Sequence, residues 1–210
     1  MKVKDVISLA CVFLNKQELL ETSLFVAEDA SNSQTSEAST TQTESETQTV
    51  ASPTDEEQKE IDLLVRCLNL VVGEICCDYI PLVEREIVEV ENGKFEFSKL
   101  KKIAMEILAI RNEAGDKVRC KLNPSFVALE NGKYEIEYSF VPEALTLEDD
   151  MPAFYCRVAD RVFAYGVAME YSLLSSLYDE MDIWQTRFRD GLEIATKKHS
   201  EKRLPRRGWF

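Results

Sequence analysis

The spacing of apolar residues changes twice along this chain, and the change leaves few folds open. Apolar residues recur at three- and four-residue steps through Ile61, Leu64, Val65, Leu68, Val71, Val72, Ile75 and Cys76, which places them on one face of an α-helix. Beyond Pro81 the step becomes two. Val88 and Val90 alternate with Glu89 and Glu91, and Phe95 and Phe97 with Lys94 and Glu96, as in half-buried strands. The helical step returns from Ala153 through Phe154, Val158, Val162, Phe163, Tyr165, Gly166, Met169, Leu173, Leu174 and Leu177. Strands enclosed by helices imply an α+β fold, an antiparallel helical bundle of N-terminal and long C-terminal helices with an antiparallel β-sheet of hairpins inserted.

Six segments follow. Residues 1–26 hold a helix over about 4–14, with Val3, Val6, Ile7, Ala10, Phe13 and Leu14 at helical spacing; 15–20 extend it or form a second turn. Asp5 interrupts the basic start, so this segment reads as a helix rather than a signal peptide. Residues 27–55 are Ser, Thr, Gln and Glu with almost nothing apolar, too little to offset the entropy of ordering, and are expected to be a dispensable, disordered linker. Pro53, Thr54 and the following carboxylates signal a helix start, and a long helix fills 56–80. The antiparallel β region covers 81–142. Its turns are expected at Asn92-Gly93, Asn131-Gly132 and around Gly115, with strands over 105–110 and 117–122. The C-terminal helices occupy 151–198, with Pro152 in the first turn behind Glu148, Asp149 and Asp150. The pattern slips near Tyr178, which marks either two helices joined tightly or one kinked helix. Gly191 falls inside this block, so Gly191→Ala should be milder than Gly132→Val. Residues 199–210 form a basic, aromatic tail.

The net charge of −13 is unevenly spread. The linker carries six acidic and no basic residues, and 197–210 carry six basic and one acidic, which leaves −12 for the remainder. An acidic body opposes sequence-specific nucleic-acid recognition, which needs a basic footprint. The six cysteines show no zinc-ligand spacing, and most sit in apolar runs as small hydrophobes; the adjacent Cys76 and Cys77 are expected on different helix faces. The only histidine, His199, is in the tail, so no Ser-His-Asp or Cys-His set forms. Carboxylate pairs such as Glu84 with Glu86 and Glu135 with Glu137 are expected on the wet face of strands. No glycine-rich phosphate loop occurs, no run approaches a membrane span, and no cofactor or metal is expected. The chain reads as a non-enzyme.

The tail stands out. Arg203, Arg206, Arg207, Trp209 and Phe210 combine residue types that anchor interfaces, and are expected to be extended in the free subunit and to dock on a partner. The acidic body could instead hold its own tail, and a frayed helix end is the plain alternative.

Several stretches together resemble the head-tail adaptor (connector) proteins of tailed bacteriophages and prophages. They are the Leu64-Val65-Arg66-Cys67-Leu68-Asn69 run with Glu74, Asp78-Tyr79-Ile80-Pro81-Leu82, and Tyr138-Ser139-Phe140-Val141-Pro142. Leu147-Glu148-Asp149-Asp150, Arg161 with Ala164-Tyr165-Gly166-Val167-Ala168 and Glu170-Tyr171, and Arg206-Arg207-Gly208-Trp209 complete the likeness. It spans the chain apart from the linker. The resemblance implies a structural virion component at the neck, present in the bacterial cytoplasm before assembly. It implies a homo-oligomeric ring, expected to be dodecameric, between portal protein and tail components. DNA would pass through its lumen unread, and the C-terminal segment would reach the portal. Two other classes remain in view: a small acidic regulatory or antitoxin-like binding module, monomeric or dimeric, and a cryptic enzyme, which would need a deep pocket with perturbed carboxylates.

Overall fold

The computed structural model describes residues 2–26, 53–154 and 158–197. Helix α1 spans Val3–Phe13 and buries Val3, Val6, Ile7, Ala10 and Cys11, the stripe expected from its spacing. It stops at Asn15, whose φ of 56° is left-handed. There the Lys16 N–H donates to the Cys11 carbonyl (2.8 Å) and the Asn15 N–H to Val12 (3.2 Å), the paired closure of a Schellman motif. A short 3₁₀ turn, Gln17–Glu21, and the four-residue α2, Ser23–Val26, follow.

Helix α3, Asp55–Glu74, begins with a reciprocal cap. The Glu57 N–H donates to the Thr54 hydroxyl (3.3 Å), and the Thr54 N–H donates to the Glu57 carboxylate (2.7 Å). Residues 53–55 therefore belong to this helix start and not to the linker; residues 27–52, like the tail, lie outside the described residues. A π-helical turn, Ile75–Tyr79, ends the segment before Pro81.

The C-terminal block consists of two helices, α4 (Asp160–Leu174) and α5 (Tyr178–Thr196). They are joined by a second Schellman closure in which Ser176 takes φ 60° and the Leu177 N–H donates to Ser172 (2.8 Å). The expected helix start near Pro152 is not found. The Asp149 carbonyl instead accepts from the Val3 N–H (3.0 Å), and Asp150 bridges to Lys2, so this stretch runs extended against the start of α1. Asn69 of α3 clamps the same loop, exchanging two hydrogen bonds with the Leu145 backbone (2.7 and 3.0 Å). Helix α4 is central to the bundle, in contact with α1, α3 and α5.

Strands β1 (Leu82–Val90), β2 (Lys94–Glu96), β3 (Ala104–Asn112), β4 (Phe126–Ala128) and β5 (Gly132–Phe140) are all paired antiparallel, but not as hairpins. One sheet has the order β1-β5-β3 and the other is β2-β4. Asn92 and Gly93 do adopt the expected positive φ values, 60° and 71°, yet only Glu91 and Lys94 bridge across that turn before the chains separate. Asn131 makes no hairpin; its side-chain oxygen accepts from the Gly93 N–H (2.9 Å), tying the two loops together. Gly115 does turn the chain at φ 85°, but residues 117–122 return only as isolated bridges, not as a strand. A single buried cluster runs from the helices into both sheets, including Phe163, Leu68, Ile80, Tyr138 and Val127.

Candidate docking surfaces

Arg203, Arg206, Arg207, Trp209 and Phe210 lie outside the described residues, as does His199. The described chain ends at Lys197, one residue past α5, and that is where the tail departs.

The carboxylate pairs are used structurally, and not all as expected. In β1 the alternation keeps one phase, with even positions inward: Leu82 and Val88 are buried, Glu84 and Glu86 lie on the same half-buried side, and the apolar Val83 and Ile87 are exposed. Glu86 accepts from the Tyr138 hydroxyl (3.2 Å) and the Lys101 N–H (3.1 Å), and Glu84 pairs with Lys102 (2.6 Å), whose ammonium stands 3.8 Å from the Phe140 ring centroid. These partners explain why the two carboxylates tolerate that side. On the opposite face Glu137 is gripped by Arg85 (3.0 Å) and Arg111 (3.0 Å), and Arg111 also reaches Glu135 (3.4 Å). The Arg85 hydrogen bond is the main reason that the Glu137 carboxyl is held below its usual range.

The cysteines offer no nucleophile where they are buried. Burial pushes the thiols of Cys11, Cys67 and Cys76 up to about 11, so they stay protonated at neutral pH. Cys77 is exposed while Cys76 is buried, which is the divergence expected of neighbours in a helical turn. Among the described residues no group of His, Cys, Asp and Glu could hold a metal ion, and no helix is long and apolar enough to cross a membrane.

Of the concave surfaces among the described residues, two bear on docking. The larger, about 580 Å³, lies beside Pro81, Leu82, Phe140, Pro142, Pro152 and Phe154, and its charged groups are the Glu84–Lys102 pair and Asp150. The smaller, about 300 Å³, lies between α3, α4 and α5 and is lined by Glu74, Tyr79, Met169, Glu170, Leu173, Met181, Gln185, Phe188 and Arg189. It differs in kind: neither Glu74 nor Glu170 has a hydrogen-bond or ion-pair partner among the described residues. Burial raises the carboxyl pKa of both, and the Glu170 and Asp78 charges raise Glu74 further. This groove was missed in the sequence because its two acids are far apart in the chain. A signal did exist, since Glu74 follows Val71 by three and Glu170 sits between Met169 and Leu173, each interrupting an apolar stripe.

A half-buried aromatic stack joins α1, α4 and α5. Phe13 lies 5.1 Å from Tyr165 and 5.4 Å from Trp184, with Arg187 5.2 Å from the Trp184 ring. Nearby, Glu60 accepts from the Tyr171 hydroxyl (2.8 Å) and pairs with Lys16, anchoring the turn after α1 to α3 and α4. At the α4–α5 turn, Leu173, Leu174, Leu177 and Tyr178 are all exposed, and Ile183 and Ile194 continue the apolar exposure along α5.

No protein-family model matches the chain, and no curated protein matches it.

Proposed function

We propose that the chain is a structural assembly protein, a head-tail connector whose copies form a ring between the portal and the tail of a phage particle. The observation that carries this reading is the α4–α5 turn, where four large apolar side chains are exposed within six residues. A surface of that kind is one that a neighbouring subunit covers. Interface-type residues of the aromatic stack, Tyr165 on α4 and Trp184 and Arg187 on α5, lie on the same two helices. The apolar Val83 and Ile87 beside the Arg85–Glu137 pair offer a second surface, suited to a tail component. The order of sequence motifs that resembles the connector family supports the same assignment. The acidic body suits a lumen through which DNA slides without being held. In this reading Arg203, Arg206, Arg207, Trp209 and Phe210 make the contact with the portal.

Assembly tests it directly. The purified chain should scatter light as a ring-sized oligomer and show rings in negative-stain electron microscopy. Leu174→Glu with Tyr178→Glu should lower the mass without lowering the unfolding temperature. In phage carrying the gene, truncation after Lys198 or Arg206→Glu with Arg207→Glu should leave DNA-filled heads without tails. A chain that stays monomeric or dimeric at all concentrations and binds one host protein would instead be the regulatory module.

One observation favours a second reading. Glu74 and Glu170 share a groove and both have raised pKa values, the property of an acid/base pair in an enzyme. If they act chemically, Glu170→Gln should abolish a turnover while leaving assembly intact.

A further inference from the structure

We propose that the groove between α3, α4 and α5 is the binding site for the chain's own C-terminal segment, residues 198–210, folded back along α5. This deepens the docking role proposed above by giving the tail a place in the free subunit, and its failure would leave the head-tail assay unaffected. Three features select this occupant.

The first is charge. The groove presents Glu74 and Glu170, unpartnered among the described residues, with Asp78 beside them and Arg189 as the opposing cation. From 197 to 210 the chain carries six basic residues against one acidic, so the tail supplies the counter-charges that the groove lacks. Arginine suits this place better than lysine, because its planar fork can bind a half-buried carxboxylate through two hydrogen bonds.

The second is the apolar lining. Met169, Leu173, Met181 and Phe188 form the walls between the acids, and flexible thioethers adapt to flat aromatic rings. Trp209 and Phe210 are rings of that kind at the end of a segment whose other residues are mostly polar. The larger cavity by Pro81 and Phe140 fits the tail less well, since Lys102 already pairs with Glu84 there and Asp150 is its one other carboxylate.

The third is reach. Four-residue steps from Lys197 through Glu193, Arg189 and Gln185 to Met181 follow a ridge that winds round α5 from the tail's origin to the groove, so the tail has to cross the helix as it runs back. The distance from Lys197 to Gln185 is about 18 Å along the axis, whereas the 13 residues after Lys197 span up to about 43 Å when extended. A tethered segment is present at an effective concentration of about millimolar, so the chain's own tail outcompetes a second copy in dilute solution.

The chain has two tryptophans, which makes the test direct. In the full chain, Trp184→Phe removes the other indole, which belongs to the Phe13–Tyr165 stack and not to the groove, and leaves Trp209 as the reporter. Acrylamide quenching of Trp209 should be several-fold weaker than in a synthetic peptide of residues 198–210, and equally weak across a wide dilution series. Adding Glu74→Gln with Glu170→Gln, which leaves no carboxylate to desolvate and so should not unfold the protein, should bring quenching close to that of the peptide. Raised salt should do the same in part. Circular dichroism of the same samples checks that each variant is folded. Any of three results overturns the proposal: Trp209 as quenchable in the full chain as in the peptide; protection that appears only as concentration rises, which places the tail on a second copy; or protection unchanged by the double substitution in folded protein.

Discussion

Around Gly166 three helices approach closely through Val71 and Phe188, whereas on the outer face of the sheet one carboxylate, Glu137, sits between two arginines. At Gly166 an added Cβ would lie 2.6 Å from Val71 Cγ1 of α3 and 3.0 Å from Phe188 Cε2 of α5. At Gly191 it would lie 2.7 Å from Val162 Cγ2. The bundle is held by close approach, and the sheet adds a ladder of charge from Arg85 through Glu137 and Arg111 to Glu135. The first kind of cohesion depends on volume and is little affected by salt or acid. The second depends on ionisation and screening. One chain therefore has two regions that should respond to different perturbations.

The largest effect should come from emptying the bundle. Phe163→Ala, at a fully buried position of α4, should cost about 3–5 kcal/mol in denaturant unfolding. If its effect were as small as that of a sheet-surface change, α4 would not be the central element. Next come the glycines. Gly166→Ala and Gly191→Ala gain helix propensity but overpack the contacts, and a net loss of about 1–2 kcal/mol is expected from each. The preference for alanine inside a helix is thus offset at Gly191, because helix propensity carries no information about the Val162 side chain across the interface. Stabilisation by either substitution would show that the helices can separate slightly without loss.

On the sheet, Glu137→Gln should cost no more than about 1 kcal/mol, since the Arg85 side chain is 58% exposed and solvent screens the pair. The discriminating measurement is salt: wild-type stability should fall with ionic strength more than that of the variant. An equal salt response would remove the charge ladder from the account.

The smallest effects separate the regions by sign. Glu137 has a lowered pKa, so its contribution to stability is full above the ordinary carboxyl range and disappears as pH falls through the lowered value. Where no tail arginine pairs with them, as in the chain truncated after Lys198, Glu74 and Glu170 have raised pKa values, so theirs is full below the ordinary range and is lost as pH rises through the raised values. Unfolding measured across the acidic range should show Glu137→Gln flattening the acid limb and, in the truncated chain, Glu74→Gln with Glu170→Gln flattening the limb above it. The same slope in both variants would contradict these assignments.

What could be read in the sequence was local. The Thr54–Glu57 cap, the α3 stripe and the break at Tyr178 depend on residues within one or two turns, and each appears where its chemistry places it. The partner of β1 could not be read, because β5 lies about forty residues further on, and alternation indicates that a strand exists without indicating what it pairs with. The Asn-Gly pairs misled for the same reason: Asn92-Gly93 is a true turn between strands that go to different sheets, and Asn131 serves through its side chain. The apolar run from Ala153 also matched a helix, but Asp149 and Asp150 are engaged with Val3 and Lys2, a tertiary contact that overrides the period at Pro152, and α4 starts at Asp160. For the candidate site, the docking residues of the tail lie outside the described residues, and the groove needed two acids brought together from α3 and α4.

The contact between α1 and α4 has a consequence for how the protein is made. Synthesis delivers α1 early, yet its buried stripe is covered by a helix that begins at Asp160, and the backbone at Val3 bonds to Asp149. On the ribosome, α1 and β1 emerge with their apolar faces uncovered and wait for partners that leave the exit tunnel much later. Burial of the α1 stripe is thus deferred until α4 is free, and the nascent chain exposes apolar surface until then.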